Sequence, residues 1–413
     1  MSPEAALRFA DLWIDKHIDF YDPLAWRTTE ERYLRRKAFA ELSTYLAFKA
    51  WCGFPAPVKL HRFVVDVANS AEFLGLLCNR PSEFLLFAPA ILYPVQADCL
   101  ASSTRRALLE IAAEPAVRST ERFPHRQLEY AFCCETTLGE PGGDQLRSVY
   151  DLSILAHRLF AGFISIEDAY ALTHSVFYAT RFGSDMGLFH ERPELLPNVE
   201  DIDAMICRYT FEQNLDVALE LAATRMIVSD KNSPATALCI DKAVNSLSTM
   251  GHVPRPPGAE VEKRDTLTEE FLEWSEQYHS MLVLGFTLAF ALGHEIELPG
   301  EPPNAEQLSR YGALLSATFN ADIYETCVRT AEFLASGTQG LPGAQFQISA
   351  VERMLRRHIE LVDVDGDPGL LIDALRLGEL SSAIDTRAGI ENVNRLARLI
   401  LPKLKRFSGA AAD

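Results

Sequence analysis

The chain has 413 residues, enough for two average domains or one large helical array with a sizeable core. Its 48% apolar and 23% charged residues are globular proportions and exclude a disordered or fibrous class. With 57 acidic against 39 basic residues the net charge is -18, so neither nucleic acid nor a membrane surface is an expected partner, and the short basic runs at Arg32–Arg36 and Arg356 do not reverse this.

The first residues, MSPEAALRFADLWIDKH, carry Glu4, Asp11 and Asp15 where a secretion signal needs a basic start and an unbroken apolar run, so a cytoplasmic setting is expected. Thr28 followed by Glu30 and Glu31 predicts a capped helix start, with helical periodicity reaching about Trp51. Breakers then recur at Gly53, Asn79, Gly139, Gly183, Ser229, Gly251, Leu298, Ser336 and Asp363, leaving intervals that suit single helices or helical hairpins. Ser165 with Glu167 and Asp168 predicts a second capped start. The apolar runs Phe84–Val95 and Met281–Leu292 are shorter than the roughly 20 residues that cross a bilayer. Met281–Leu292 is apolar on every side, which requires a helix enclosed by others. Alternating strand patterns are absent.

The expected fold is therefore all-α, a multi-helix bundle or an α/α-toroid-like array of helical hairpins. A single domain over 1–413 is expected, with the Pro-rich loop at 251–268 as the alternative boundary. The eight cysteines show no CxxC and no pairing rhythm and read as reduced, mostly buried thiols. That includes Cys133 and Cys134, which on a helix point about 100° apart.

The chemistry concentrates between Ile166 and Asp185. Glu167, Tyr170, His174, Tyr178 and Arg181 are three or four residues apart and form one helical stripe, with Leu172, Val176 and Ala179 opposite. Two phenols, an imidazole and a guanidinium bind or move protons, unlike the Lys, Glu and Gln of an ordinary solvated face. His174 reads as a general base or acid, Tyr178 as a proton donor and Arg181 as a holder of carboxylate or phosphate. His157 and His279 fall on apolar helical faces and are expected to point inward, joining Tyr170 as substrate-binding residues. Spacing alone does not show three histidines converging, and no HExxH motif occurs, so no metal site is assigned. His125 and Glu129 are four apart, but His125 follows Pro124 in a first turn expected to be exposed.

Asp363–Asp367 reads as turn chemistry, and Glu212, Asp216 and Glu220 read as a solvated acidic ridge. No GxGxxG, Walker loop or GxSxG stands at a strand-to-helix junction, which disfavours dinucleotide, P-loop and serine-hydrolase chemistry and leaves any cofactor unknown.

The segment LTHSVFYATRFG (Leu172–Gly183), following AHRLFAGF at Ala156, resembles an uncharacterised all-helical family of actinobacterial proteins, a domain of unknown function. In that family an acidic residue often stands where this chain has Arg181, which argues against a metal site using this position. The resemblance implies an all-α fold in a bacterial cytoplasm and supplies no reaction. Two function classes follow. One is a cavity-containing enzyme of bacterial specialised metabolism, performing acid–base or cyclisation chemistry on a small apolar or peptide-like substrate with His174, Tyr178 and Arg181. The other is a non-catalytic helical platform for a partner protein or peptide.

Overall fold

A computed structural model describes residues 1–139, 145–157, 161, 164–254 and 267–298, with a few positions between 303 and 311. These lie in the first of two units into which the chain divides, Met1–Gly312 and Ala313–Asp413. Cys327, the Asp363–Asp367 loop and residues 255–266 of the Pro-rich stretch lie outside the described residues.

Among the described residues every regular element is helical and none is a strand. In chain order they are α1 (Pro3–Lys16), α2 (Thr29–Trp51), α3 (Val58–Ala68), α4 (Ala71–Asn79), α5 (Phe84–Ala90), α6 (Leu92–Gln96), α7 (Ser102–Ala113) and α8 (Pro115–Arg118). Then come α9 (Pro124–Cys133), α10 (Gln145–Leu152), α11 (Ile166–Ala179), α12 (Gly187–Glu191), α13 (Val199–Phe211), α14 (Leu215–Ser229), α15 (Pro234–Met250) and α16 (Glu269–Gly293). The predicted caps are present. Thr28 accepts from the Glu31 N–H, and Ser165 with Asp168 forms a reciprocal capping box. The apolar run at Phe84–Val95 is not one helix, because Pro89 and Pro94 divide it between α5 and α6.

The all-round apolar segment sits where its composition demands. In α16 every residue from Met281 to Ala291 is buried, enclosed by α1, α2 and α14. Gly285 allows α2 its close approach, since a Cβ there would stand 2.8 Å from the Tyr45 ring. Tyr45 and Lys49 in turn hold Asp11, tying α2 to α1. Beside this seam Phe48, Phe132, Phe177, Phe182 and Phe286 form a continuous ring cluster that locks α2, α9, α11 and α16 together. Cys133 and Cys134 are both buried. No helix among the described residues is long and apolar enough to cross a membrane.

Candidate functional site

Helix α14 reads LDVALELAATRMIVS, and Leu215 to Thr224 is buried on every side, so its two carboxylates point into the interior. Asp216 and Glu220 therefore do not form the solvated ridge expected from their spacing. Glu212 is not even on the same helix, because it caps α13 and the chain turns through Gln213 before α14 begins. Charges placed in a dry interior need partners, and the neighbouring helices supply them.

Tyr170 of α11 donates to Asp216 Oδ2 at 2.6 Å, and Ser280 of α16 donates to Asp216 Oδ1 at 2.9 Å. Thr173 donates to Glu220 Oε2 at 2.6 Å, with His174 Nε2 3.6 Å from the same oxygen. His279 Nε2 lies 3.3 Å from Glu220 Oε1 and 3.7 Å from Asp216 Oδ2, while its Nδ1 faces Glu41 Oε2 of α2 at 3.3 Å. The last contact is close enough for ion pairing but out of line for a hydrogen bond. Lys37, one turn before Glu41, completes the set at 3.6 Å.

Four helices thus bring three carboxylates against two cations. The electrostatics follow from that arrangement. Burial alone pushes the Glu220 carboxyl up, yet His174 and His279 hold it well below the usual carboxylate range. Glu41 behaves alike, with burial opposed by Lys37 and His279, and sits at about 2. Burial works against a charged His279, but Asp216, Glu41 and Glu220 outweigh it and raise its pKa well above the ordinary histidine value. His279 is a fixed cation at neutral pH. Burial raises the phenols of Tyr170 and Tyr178 well above the ordinary tyrosine value, so both remain proton donors. His125, whose ring centroid is 6.2 Å from that of His174, is pushed down to about 4, chiefly by burial, with the neighbouring His174 and Arg126 adding to the effect. His125 is therefore a neutral imidazole at neutral pH.

Water still reaches this cluster. The His279, Glu41 and His174 side chains keep 27%, 26% and 24% of their surface accessible, although Glu220 beneath them keeps 4%. His174 also retains an unused function: its Nδ1 is shielded from solvent and has no hydrogen-bond partner among the described residues. Around it stand the rings of Tyr170, Tyr178 and His125, with centroids 6.1, 6.0 and 6.2 Å away.

The other predicted site residues lie elsewhere. Glu167 is exposed near the start of α11. His157 is not on a helical face, because α10 ends at Leu152 and a short 3-10 turn over Ile154–Ala156 leaves it half-buried in extended backbone. Arg181 leaves the stripe altogether. Helix α11 stops at Ala179 in a Schellman-type cap: the Phe182 N–H returns to the Phe177 carbonyl and the Arg181 N–H to that of Tyr178. Arg181 and Phe182 both take left-handed backbone, at φ 48° and 57°, ahead of Gly183 at 86°.

Phe182 is held there by its rings' packing on Phe48, Phe132, Phe177 and Phe286. Among the described residues Arg181 pairs only with Glu135, presented by a π-helical turn over Cys134–Leu138. A left-handed residue with a Cβ costs roughly 1–2 kcal/mol, whereas a partly exposed ion pair contributes about 0–1 kcal/mol. The pair does not account for the strain. Arg181 and Glu135 stand on the wall of a cleft of about 320 Å³ between α9, α10, α11 and α12, which Tyr178 also lines.

Among the described residues no group of three His, Cys, Asp or Glu side chains is arranged to hold a metal ion. The histidines that do come together, His174 and His279, meet on a carboxylate.

The fold and site define an all-helical protein with a buried histidine–carboxylate cluster at the junction of four helices. Residues 8–289 match the domain of unknown function DUF6895, and the chain belongs to that family. The match covers all sixteen helices except the beginning of α1 and the last turn of α16. No curated protein and no solved structure matches the chain.

Proposed function

We propose that this chain is an enzyme that performs acid–base chemistry on a small apolar or peptide-like molecule, with His174 as the proton-transferring group. The observation that carries this reading is the pair of environments on one ring. Nε2 of His174 faces a buried carboxylate, and Nδ1 is shielded from solvent with no partner among the described residues. A carboxylate beside Nε2 favours the tautomer that carries its proton there and leaves Nδ1 with its lone pair, the form in which a histidine accepts a proton from a bound molecule. Glu220 is suited to that role because Thr173 and His279 fix both its oxygens and keep it ionised. Tyr178, neutral and one turn along, is the donor nearest to hand.

In this reading His279 does not itself titrate. It anchors three carboxylates and sets the field in which His174 works. Tyr170 is likewise committed to Asp216 and shapes the wall rather than transferring protons. The test compares wild type with His174→Gln in a small-molecule extract followed by mass spectrometry. Wild type should consume or produce features that the variant does not, while the variant's circular dichroism and melting temperature stay close to wild type. Identical extract profiles from two folded proteins would contradict the reading.

A further inference from the structure

The cleft beside Arg181 is chemically distinct from the His174 cluster and is not explained by it. Its apolar wall is formed by Leu128, Phe132 and Leu188, and its volume of about 320 Å³ lies at the lower end of the range for small-molecule sites. Two structural irregularities, the π-helical turn that carries Glu135 and the left-handed backbone at Arg181, meet on its rim. Such irregularities concentrate where a fixed side-chain direction matters more than local stability.

Charge on the rim narrows the ligand. Arg181 uses one guanidinium nitrogen on Glu135 and makes no other hydrogen bond among the described residues, which leaves donors for an anion. Arg192 is already held by Asp151 at 2.7 Å and Glu194 at 2.9 Å. Asp185 accepts only the Gly187 N–H at 2.8 Å, and no cation pairs with it among the described residues. With Glu135, Asp185 and Glu191 on the lining, a dianion such as phosphate would meet net negative charge. A carboxylate that brings its own ammonium would not.

We propose that this cleft binds a zwitterionic amino acid or dipeptide with an apolar side chain. Arg181 takes the carboxylate, Asp185 takes the ammonium, and Leu128, Phe132 and Leu188 receive the side chain. The assignment does not depend on the role given to His174.

Calorimetric titration of the full chain tests it with four probes: L-leucine, leucyl-leucine, leucinamide without the carboxylate, and N-acetyl-leucine without the ammonium. At least one of the two zwitterions should bind, and both blocked analogues should bind at least tenfold more weakly. Arg181→Gln, which keeps the backbone demand, and Arg181→Gly, which relieves it, should each weaken that zwitterion at least tenfold. His174→Gln should bind as wild type does. Absence of binding by both zwitterions, equal binding of a blocked analogue, or unchanged binding in both folded Arg181 variants would overturn the proposal. So would a loss confined to His174→Gln.

Discussion

Helix α11 serves two regions that are built by opposite means. Around its first half, Tyr170, Thr173 and His174 join a cluster that sets the buried Asp216 and Glu220 beside half-buried cations. Beyond its C-terminus, Arg181 stands in strained backbone beside an open cleft, with a single partly exposed partner among the described residues. The first region gains its order from desolvation, which makes every missing partner costly. The second gains direction from backbone geometry and remains free to meet a ligand. Removing a buried carboxylate should therefore cost stability in the cluster, whereas changing Arg181 should cost function in the cleft.

The largest effect is expected from Glu220→Ala. It takes away the buried acceptor that Thr173, His174 and His279 share and should lower stability by about 1–3 kcal/mol, the cost of leaving buried polar groups unsatisfied, read by urea unfolding. A loss under about 1 kcal/mol, the range of exposed pairs, would erase the contrast between the regions.

Next comes the pH dependence. The folded pKa of His279 is raised, so its contribution is fully present below the ordinary histidine value and is lost as pH rises through the folded value. His125 has a folded pKa lowered to about 4, so its contribution is present above the ordinary histidine value and is lost as pH falls towards 4. Glu41, held at about 2, adds a loss that begins as pH falls through the ordinary carboxylate range and continues to about 2. Melting temperature should fall on both the alkaline and the acid side. His279→Gln should flatten the alkaline limb, and His125→Asn the part of the acid limb between the ordinary histidine value and 4.

The smallest effect on stability belongs to Arg181→Gly. Relief of the left-handed strain and loss of the Glu135 pair oppose each other, so the variant should stay within about 1 kcal/mol of wild type. A large destabilisation would show that Arg181 is structural. Gly183 provides the contrast, since a Cβ there would stand 2.6 Å from the Phe290 ring on a backbone already at φ 86°.

Much of this was legible in residue patterns. The Thr28 and Ser165 caps and the enclosed Met281–Leu292 segment follow from local rules, and those rules do not depend on what packs nearby. Tyr170 and His174 stood out because their residue types are rare on a solvated face, and His279 because it falls on an apolar helical face. Asp216 and Glu220 did not, because acids four apart look the same on a wet ridge and inside a bundle. The distinguishing signal was around them: Leu215, Val217, Ala218, Leu219 and Leu221 leave α14 no polar face to expose. Glu41 was hidden for the same reason, among Ala38, Phe39, Ala40 and Leu42. Arg181 was misplaced because Gly183 suggested the helix stop, whereas the cap takes its first left-handed residue two positions earlier, at a residue with a Cβ.

The division of labour between His279 and the other imidazoles is the central claim, and ring-nitrogen NMR of histidine-labelled protein tests it most directly. Across pH 6 to 8, His279 should remain an imidazolium with both nitrogens protonated, and His125 should remain neutral. A His279 ring that loses its proton near the ordinary histidine value would contradict the account, because the carboxylates of α2 and α14 would then not hold it as the fixed cation on which the site is built.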